Sequence, residues 1–382
     1  MFMDRVDYLD AARRWQAAAA GIRRTEAEGS LAEPQTRMEA FLKHQEDTAG
    51  GDAMWAGARA PRLSAMFGAE RVFAANDMLS FDTLQKAIAI GRFVGVIGRS
   101  AEGRHARIAT GSMVSPRLLL TNHHVIATPE EAAASDVTFD YQLGVDGRPL
   151  PTSSFGLRPD EFFVTDPDLD YTLVAVAPTA AEGTPLADFG WNRLIEAEGK
   201  ILRGHPVNII QHPEGGYKQI VLGSNRVLEL VEHHFLYDAD TLPGSSGSPV
   251  FNRQWEVVAL HRRSVPRVVD GVIVTRGGQR WDRGMDERNI DWIGNEGTRV
   301  SSLVAHLRGE KLGGTQGKLR DELLSARPPQ PFAVATMALG QPVNGEVDRL
   351  EERRSRVADR IEPGVTVPVR LALQIEVSVV RR

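Results

Sequence analysis

The chain has no cysteine in 382 residues, which closes off disulfides, a thiolate nucleophile and thiolate metal sites together. No run approaches the roughly 20 apolar residues that a membrane span needs. The first residues, Met1-Phe2-Met3-Asp4-Arg5-Val6-Asp7, carry charge where a signal peptide would carry an apolar core. A cytoplasmic protein without membrane contact is the expectation. An excess of basic residues is also missing: the net charge of −5 weighs against nucleic acid as the main partner. Histidines are numerous, among them His123, His124, His205, His212, His233, His234 and His261, but no His-x-x-x-His with a glutamate base occurs. Neither a metal nor a cofactor is expected.

What stands out instead is the stretch Leu242-Pro243-Gly244-Ser245-Ser246-Gly247-Ser248-Pro249. Glycines on both sides let the backbone approach a substrate carbonyl and expose one serine, Ser246. A serine hydroxyl is a poor nucleophile at neutral pH, so it needs a base and a group to orient that base. The base is sought in Leu118-Leu119-Leu120-Thr121-Asn122-His123-His124-Val125-Ile126, an apolar run that reads as a buried strand ending at two histidines. The orienter is sought among Asp166, Asp168 and Asp170, the last at the mouth of the apolar strand Tyr171-Thr172-Leu173-Val174-Ala175-Val176. An α/β-hydrolase reading fails twice. Its elbow needs Gly-x-Ser-x-Gly with both partners downstream. Here Gly247 comes one residue too early and both partners lie upstream.

Three motifs in order, Thr121-Asn122-His123-His124-Val125, Asp170-Tyr171-Thr172-Leu173 and Gly244-Ser245-Ser246-Gly247-Ser248-Pro249, resemble the trypsin-like serine peptidases. The resemblance covers roughly residues 90 to 305 and is most similar to the compact bacterial branch that includes the glutamyl endopeptidases. It selects His124 over His123, as the fourth residue of Thr-Asn-x-His, and Asp170 over its neighbours, by the Thr-Leu continuation. It implies a mainly β fold of two six-stranded antiparallel β-barrels, with His124 and Asp170 on the first and Ser246 on the second. The backbone amides of Gly244 and Ser246 would form the oxyanion hole. Thr241, His261 and Arg262 would line the pocket for the side chain preceding the scissile bond, where they suit a carboxylate. The implied partner is a protein or peptide substrate, cleaved through an acyl-enzyme. A silent peptide-binding module of the same fold is the alternative; such modules usually lose a triad residue, and none is lost here. Ser245 stands where the digestive zymogens carry the aspartate that pairs with a new amino terminus, so activation by that route is not expected.

The flanks divide the chain further. Residues 1–47 read as a helical segment, with Tyr8, Ala12, Trp15, Ala19 and Ile22 on one face and a second helix after Pro34 showing Met38, Phe41 and Leu42. A linker over 48–79 leads to a protease domain over 80–308. That domain opens with a short helix capped by Ser80 and carrying Leu84, Ala87 and Ile88, and Asn295 to Leu307 resembles its closing helix. Residues 309–364 read as a linker, with a stiff spacer at Arg327-Pro328-Pro329-Gln330-Pro331 and a partly helical part from Val343 to Ile361. The last segment, 365–382, alternates Val365, Val367, Val369, Leu371, Leu373, Ile375, Val377 and Val379 with mostly polar neighbours, a strand pattern. A lone strand is unstable, so it is expected to pair with the protein's own sheet, a partner protein or a further domain.

Overall fold

The computed structural model describes residues 8–17, 35–47, 79, 81–101, 103–223 and 225–328. The C-terminal strand over 365–382, the segment from Val343 to Ile361, most of the 48–79 linker, and Ser80, Ala19 and Ile22 lie outside the described residues.

Six strands close into an antiparallel barrel in the order β1-β2-β3-β6-β5-β4. They are β1 (Val94–Ala101), β2 (Arg104–Met113), β3 (Leu118–Thr121), β4 (Ser135–Phe139), β5 (Ser153–Asp166) and β6 (Tyr171–Val176). Ile97, Leu119, Val137, Phe139, Phe155, Val174 and Val176 fill its interior. The unbroken run Leu118–Leu120 follows from burial on both faces: Leu119 points into the barrel, while Leu118 and Leu120 join a second core outside it.

The other strands are β7 (Asn208–Gln211), β8 (Gln219–Val221), β9 (Val227–Leu230), β10 (His234–Tyr237), β11 (Pro249–Phe251), β12 (Val257–Pro266), the small hairpin β13 (Val268–Val269) and β14 (Val272–Ile273), and β15 (Trp292–Arg299). Seven of them form a curled sheet in the order β8-β7-β11-β12-β15-β10-β9. The fold is therefore mainly β, a closed barrel beside a half-barrel. The curl brings the start of β9 against the segment entering β7, where pairing shrinks to one isolated bridge between Pro206 and Arg226. Pro206 takes the non-hydrogen-bonded position of that bridge, flanked by the Val207 amide donating to the Asn225 carbonyl at 3.0 Å and the Val227 amide donating to the His205 carbonyl at 2.9 Å. A shared core of Leu120, Tyr171, Leu173, Phe251, Trp255 and Leu260 seals the barrel to the half-barrel.

Residues 8–17 form α1, with Tyr8, Ala11 and Ala12 buried and Trp15 half-buried, as the spacing predicts. In α2 (Gln35–Asp47) Met38 and Leu42 face outward, and the buried contact is made by His44, whose Nε2–H donates to the Glu256 carboxylate at 3.0 and 3.1 Å. Helix α3 (Asp82–Gly91) likewise turns Ala87, Ala89 and Ile90 inward and leaves Leu84 and Ile88 half exposed. The short α4 (Pro129–Ala133) is capped by Thr128, whose hydroxyl accepts from the Glu131 amide. The expected closing helix begins later than its sequence reading. Residues 295–299 belong to β15, where pairing with both β10 and β12 outweighs helix formation, and α5 (Val300–Gly309) follows. Helix α6 (Gly314–Ser325) lies in the stretch read as linker; its Leu323 enters the shared core.

Candidate active site

Strands β3 and β6 pair with Thr121 opposite Thr172, so the turn leaving β3 and the turn entering β6 emerge at the same end of the barrel. His124 sits on the first and Asp170 on the second. The Nδ1–H of His124 faces both carboxylate oxygens of Asp170, at 3.0 and 2.9 Å, and the His124 amide donates to the same carboxylate at 3.0 Å. Asp170 adopts a left-handed backbone conformation, φ +52°, uncommon for a residue with a side chain. The Asn122 side-chain amide donates to its carbonyl at 2.9 Å and fixes that turn. His123, by contrast, turns its Nδ1 to the hydroxyl of Thr165 at 2.8 Å.

Asp170 is buried, and burial alone would raise its pKa. The neighbouring His124, its hydrogen bond, and the guanidinium groups of Arg262 and Arg263 outweigh that effect and hold the carboxyl at about 2. Arg262 Nε donates to the outer carboxylate oxygen at 3.1 Å, and an Arg263 nitrogen lies 3.7 Å from the same atom. A bulge in β12 puts both arginines there: the register against β15 shifts between His261 and Arg263, so two side chains of β12 meet one position of its partner.

Ser246 stands in the tight loop before β11, half-buried, and its shape is set from the barrel side by Thr110 of β2. The Thr110 amide donates to the Ser246 carbonyl at 2.9 Å, its hydroxyl donates to the Gly244 carbonyl at 2.9 Å, and its own carbonyl accepts from the Thr121 hydroxyl at 2.9 Å. Gly247 packs directly on this residue. With φ +84°, a Cβ there would stand 2.1 Å from the Thr110 carbonyl oxygen. The Pro243 carbonyl accepts from the Glu214 amide, which points the trans-related Gly244 N–H the other way. Among the described residues neither the Gly244 nor the Ser246 amide donates a hydrogen bond, and none joins Ser246 Oγ to His124. Such catalytic hydrogen bonds often tighten only around substrate. Ser245 is fully buried, its hydroxyl accepting from the Leu242 amide at 3.2 Å.

The remaining candidates separate. Thr241 donates to Asn295 Oδ1 at 2.7 Å, and His261 Nδ1 lies 2.6 Å from the Tyr237 hydroxyl. Arg262 is not beside them in function: its guanidinium is shared among Asp170, His234 and Glu296. The roles of Thr110, Asn122 and Tyr237 escaped sequence reasoning because each acts through hydrogen bonds to residues distant in the chain, leaving no local pattern. Among the described residues no group of three histidine, aspartate or glutamate side chains is placed to hold a metal ion.

Residues 109–260 match the trypsin-like peptidase domain, a span that takes in Thr110, His124, Asp170 and Ser246. The chain carries a trypsin-like peptidase domain. The uncharacterized protein y4fB of Sinorhizobium fredii is 37% identical to it over 251 residues, 61% of this chain. The chain spans 38% of that relative's length. Solved structures similar to the peptidase domain include the apo protease domain of MamO from Magnetospirillum magneticum, at 15% identity and TM-score 0.38, covering 57% of this chain and 97% of that one. An inactive form of Rv3671c from M. tuberculosis is similar at 19% identity and TM-score 0.34, covering 50% and 87%.

Proposed function

We propose that the protein is a serine endopeptidase working through Ser246, His124 and Asp170. The observation that carries this reading is the His124–Asp170 pair: the buried carboxylate, ionised at any ordinary pH, takes the Nδ1–H and leaves Nε2 as the basic nitrogen. As Ser246 Oγ attacks a peptide carbonyl, His124 Nε2 takes its proton, and the negative charge on the carbonyl oxygen meets the amides of Gly244 and Ser246. The imidazolium then gives that proton to the leaving amine, the C–N bond breaks and an acyl-Ser246 ester remains. Water, deprotonated by the same nitrogen, hydrolyses the ester and restores the serine.

An acidic residue before the scissile bond suits the residues present. Tyr237 is buried and its hydroxyl stays protonated, its pKa pushed well up by burial, so it donates to His261 Nδ1. That fixes the neutral tautomer with Nε2–H outward, a donor for a substrate carboxylate without a buried charge.

A serine-reactive fluorophosphonate probe tests the central claim. The native chain should be labelled and Ser246→Ala should not. Equal labelling of both would remove Ser246 from the reaction, and labelling of neither would favour a silent peptide-binding module.

A further inference from the structure

The triad aspartate does not end at Arg262. The same guanidinium that holds Asp170 through Nε, at 3.1 Å, reaches with NH1 to Glu296 Oε1 at 3.3 Å and to His234 Nε2 at 2.8 Å. Glu296 lies on β15 opposite Arg263 of β12, and its side chain is 0% exposed. A carboxylate so deep in the protein requires more than one shared guanidinium. The second cation comes from the far end of the chain. Arg14 of α1 closes on Glu296 in a bidentate pair, Nε to Oε2 at 2.7 Å and NH2 to Oε1 at 2.8 Å. A continuous line of charge thus runs from α1 to the imidazole: Arg14, Glu296, Arg262, Asp170, His124.

We infer that Arg14 is a positioning residue for the triad, holding Glu296 so that Arg262 stays on Asp170 and sets the basicity of His124. This rests on His124 and Asp170 acting as the base and its orienter. The reasoning is competition for one guanidinium. The two Arg14 contacts are the shorter ones, and they satisfy both oxygens of Glu296, which leaves Arg262 free to keep its Nε on Asp170. Without Arg14, the buried Glu296 would be left with Arg262 as its only paired cation among the contacts above, and the guanidinium would be drawn towards it. A cation beside Asp170 weakens what that carboxylate offers the imidazolium, so its withdrawal raises the pKa of His124. Removing the positive charge of Arg14 acts in the same direction.

The helix is well placed for such a role. Tyr8 packs against Trp292 and Trp281, Ala11 and Ala12 against Val265, and Gln16 donates to the Val268 carbonyl at 2.8 Å. These apolar anchors hold α1 on the sheet independently of Arg14. The charged or titratable groups facing the line are His261, near His124; Arg263, near Asp170; and His234, near Glu296. His234 and His261 are kept neutral mainly by burial, at about 4 and about 3. Across the neutral range the line therefore carries fixed charges, and a change in the His124 titration reports on their arrangement.

The test reads the His124 titration twice in the full chain, as the acid limb of kcat/KM on a peptide substrate and as the ring resonance of His124 by NMR, assigned with His124→Gln. Arg14→Ala should move both upward by about half a unit to one unit, a loss of about 3- to 10-fold in rate on the acid side with little change in KM. Arg14→Lys should recover part of the shift. Glu296→Gln should move both downward, since it releases Arg262 to Asp170, and the double variant should return close to the native midpoint. An unmoved midpoint in a folded Arg14→Ala, with activity lowered equally at every pH, would overturn the inference and leave α1 a structural brace. If no variant turns over peptide, the ring titration still decides: displaced midpoints uphold the charge line while the peptidase reading fails.

Discussion

At the scale of single residues, the proposed recognition of an acidic side chain turns on which proton His261 carries. Burial, then the neighbouring His124, hold its pKa at about 3, so the ring is neutral wherever a peptidase would be assayed. A neutral donor discriminates by hydrogen bonding, not by charge attraction, and that has a signature in pH. Peptides differing only in Glu against Gln before the scissile bond should be cleaved with a preference for Glu of about 10-fold, unchanged from about pH 5 to 9. Tyr237→Phe, which removes the donor that fixes the tautomer, should erode that preference while leaving turnover on the Gln peptide unchanged. A preference that collapses as pH rises through the ordinary histidine range would show a charged ring instead.

At the scale of elements, α2 is held by one buried polar contact more than by its apolar face. His44 donates to Glu256, which also accepts from Asn252 Nδ2 at 2.7 Å, while Phe41 meets His205 edge-on and Gly199 lets the Ala40 carbonyl approach closely. His44→Ala should cost about 1–3 kcal/mol, measured by urea unfolding, because the buried carboxylate loses a donor with nothing to replace it. A change within error would mean that water already serves Glu256. This element also marks where sequence reasoning ended. Strands with an unbroken apolar run, such as Leu118–Leu120, and helix α1, whose spacing matched its buried side, were legible because one physical cause made the pattern. In α2 and α3 most of the apolar residues that marked the helices, Met38, Leu42, Leu84 and Ile88, face outward; of the marked residues Ala87 is buried as expected, and the rest of the burial is done by His44, Ala89 and Ile90. The three ordered motifs pointed to His124, Asp170 and Ser246, yet the bulge that aims Arg262 at Asp170 left no trace in composition or spacing.

For the whole molecule, buried histidines decide how the fold answers to acid. Burial lowers His212, with Lys218 and Arg107 adding to it, to about 3; His234 is held at about 4 and His261 at about 3. Below the unfolded value of about 6.5 the unfolded chain binds these protons and the folded one does not, so stability falls with pH from there down to the folded values. The depressed carboxyls add a second stage. Asp170, at about 2, contributes stability that is complete above about pH 4 and drains as pH approaches about 2, and Glu296, lowered by Arg14, His234 and Arg262 despite its burial, adds to it in the same direction. Urea midpoints measured from pH 8 downward should therefore begin to fall near pH 6.5. A flat curve from pH 7 to 5 would contradict the burial of these rings.

Thr110 carries a consequence for the order in which this molecule comes into being. Its bonds to Gly244 and Ser246 bridge 134 and more residues of chain, so they form only after the half-barrel has been made and has docked. On the proposed reading, a chain that has completed only the barrel owns a base and its orienter but no shaped loop to present a nucleophile, so cutting waits on the docked half-barrel.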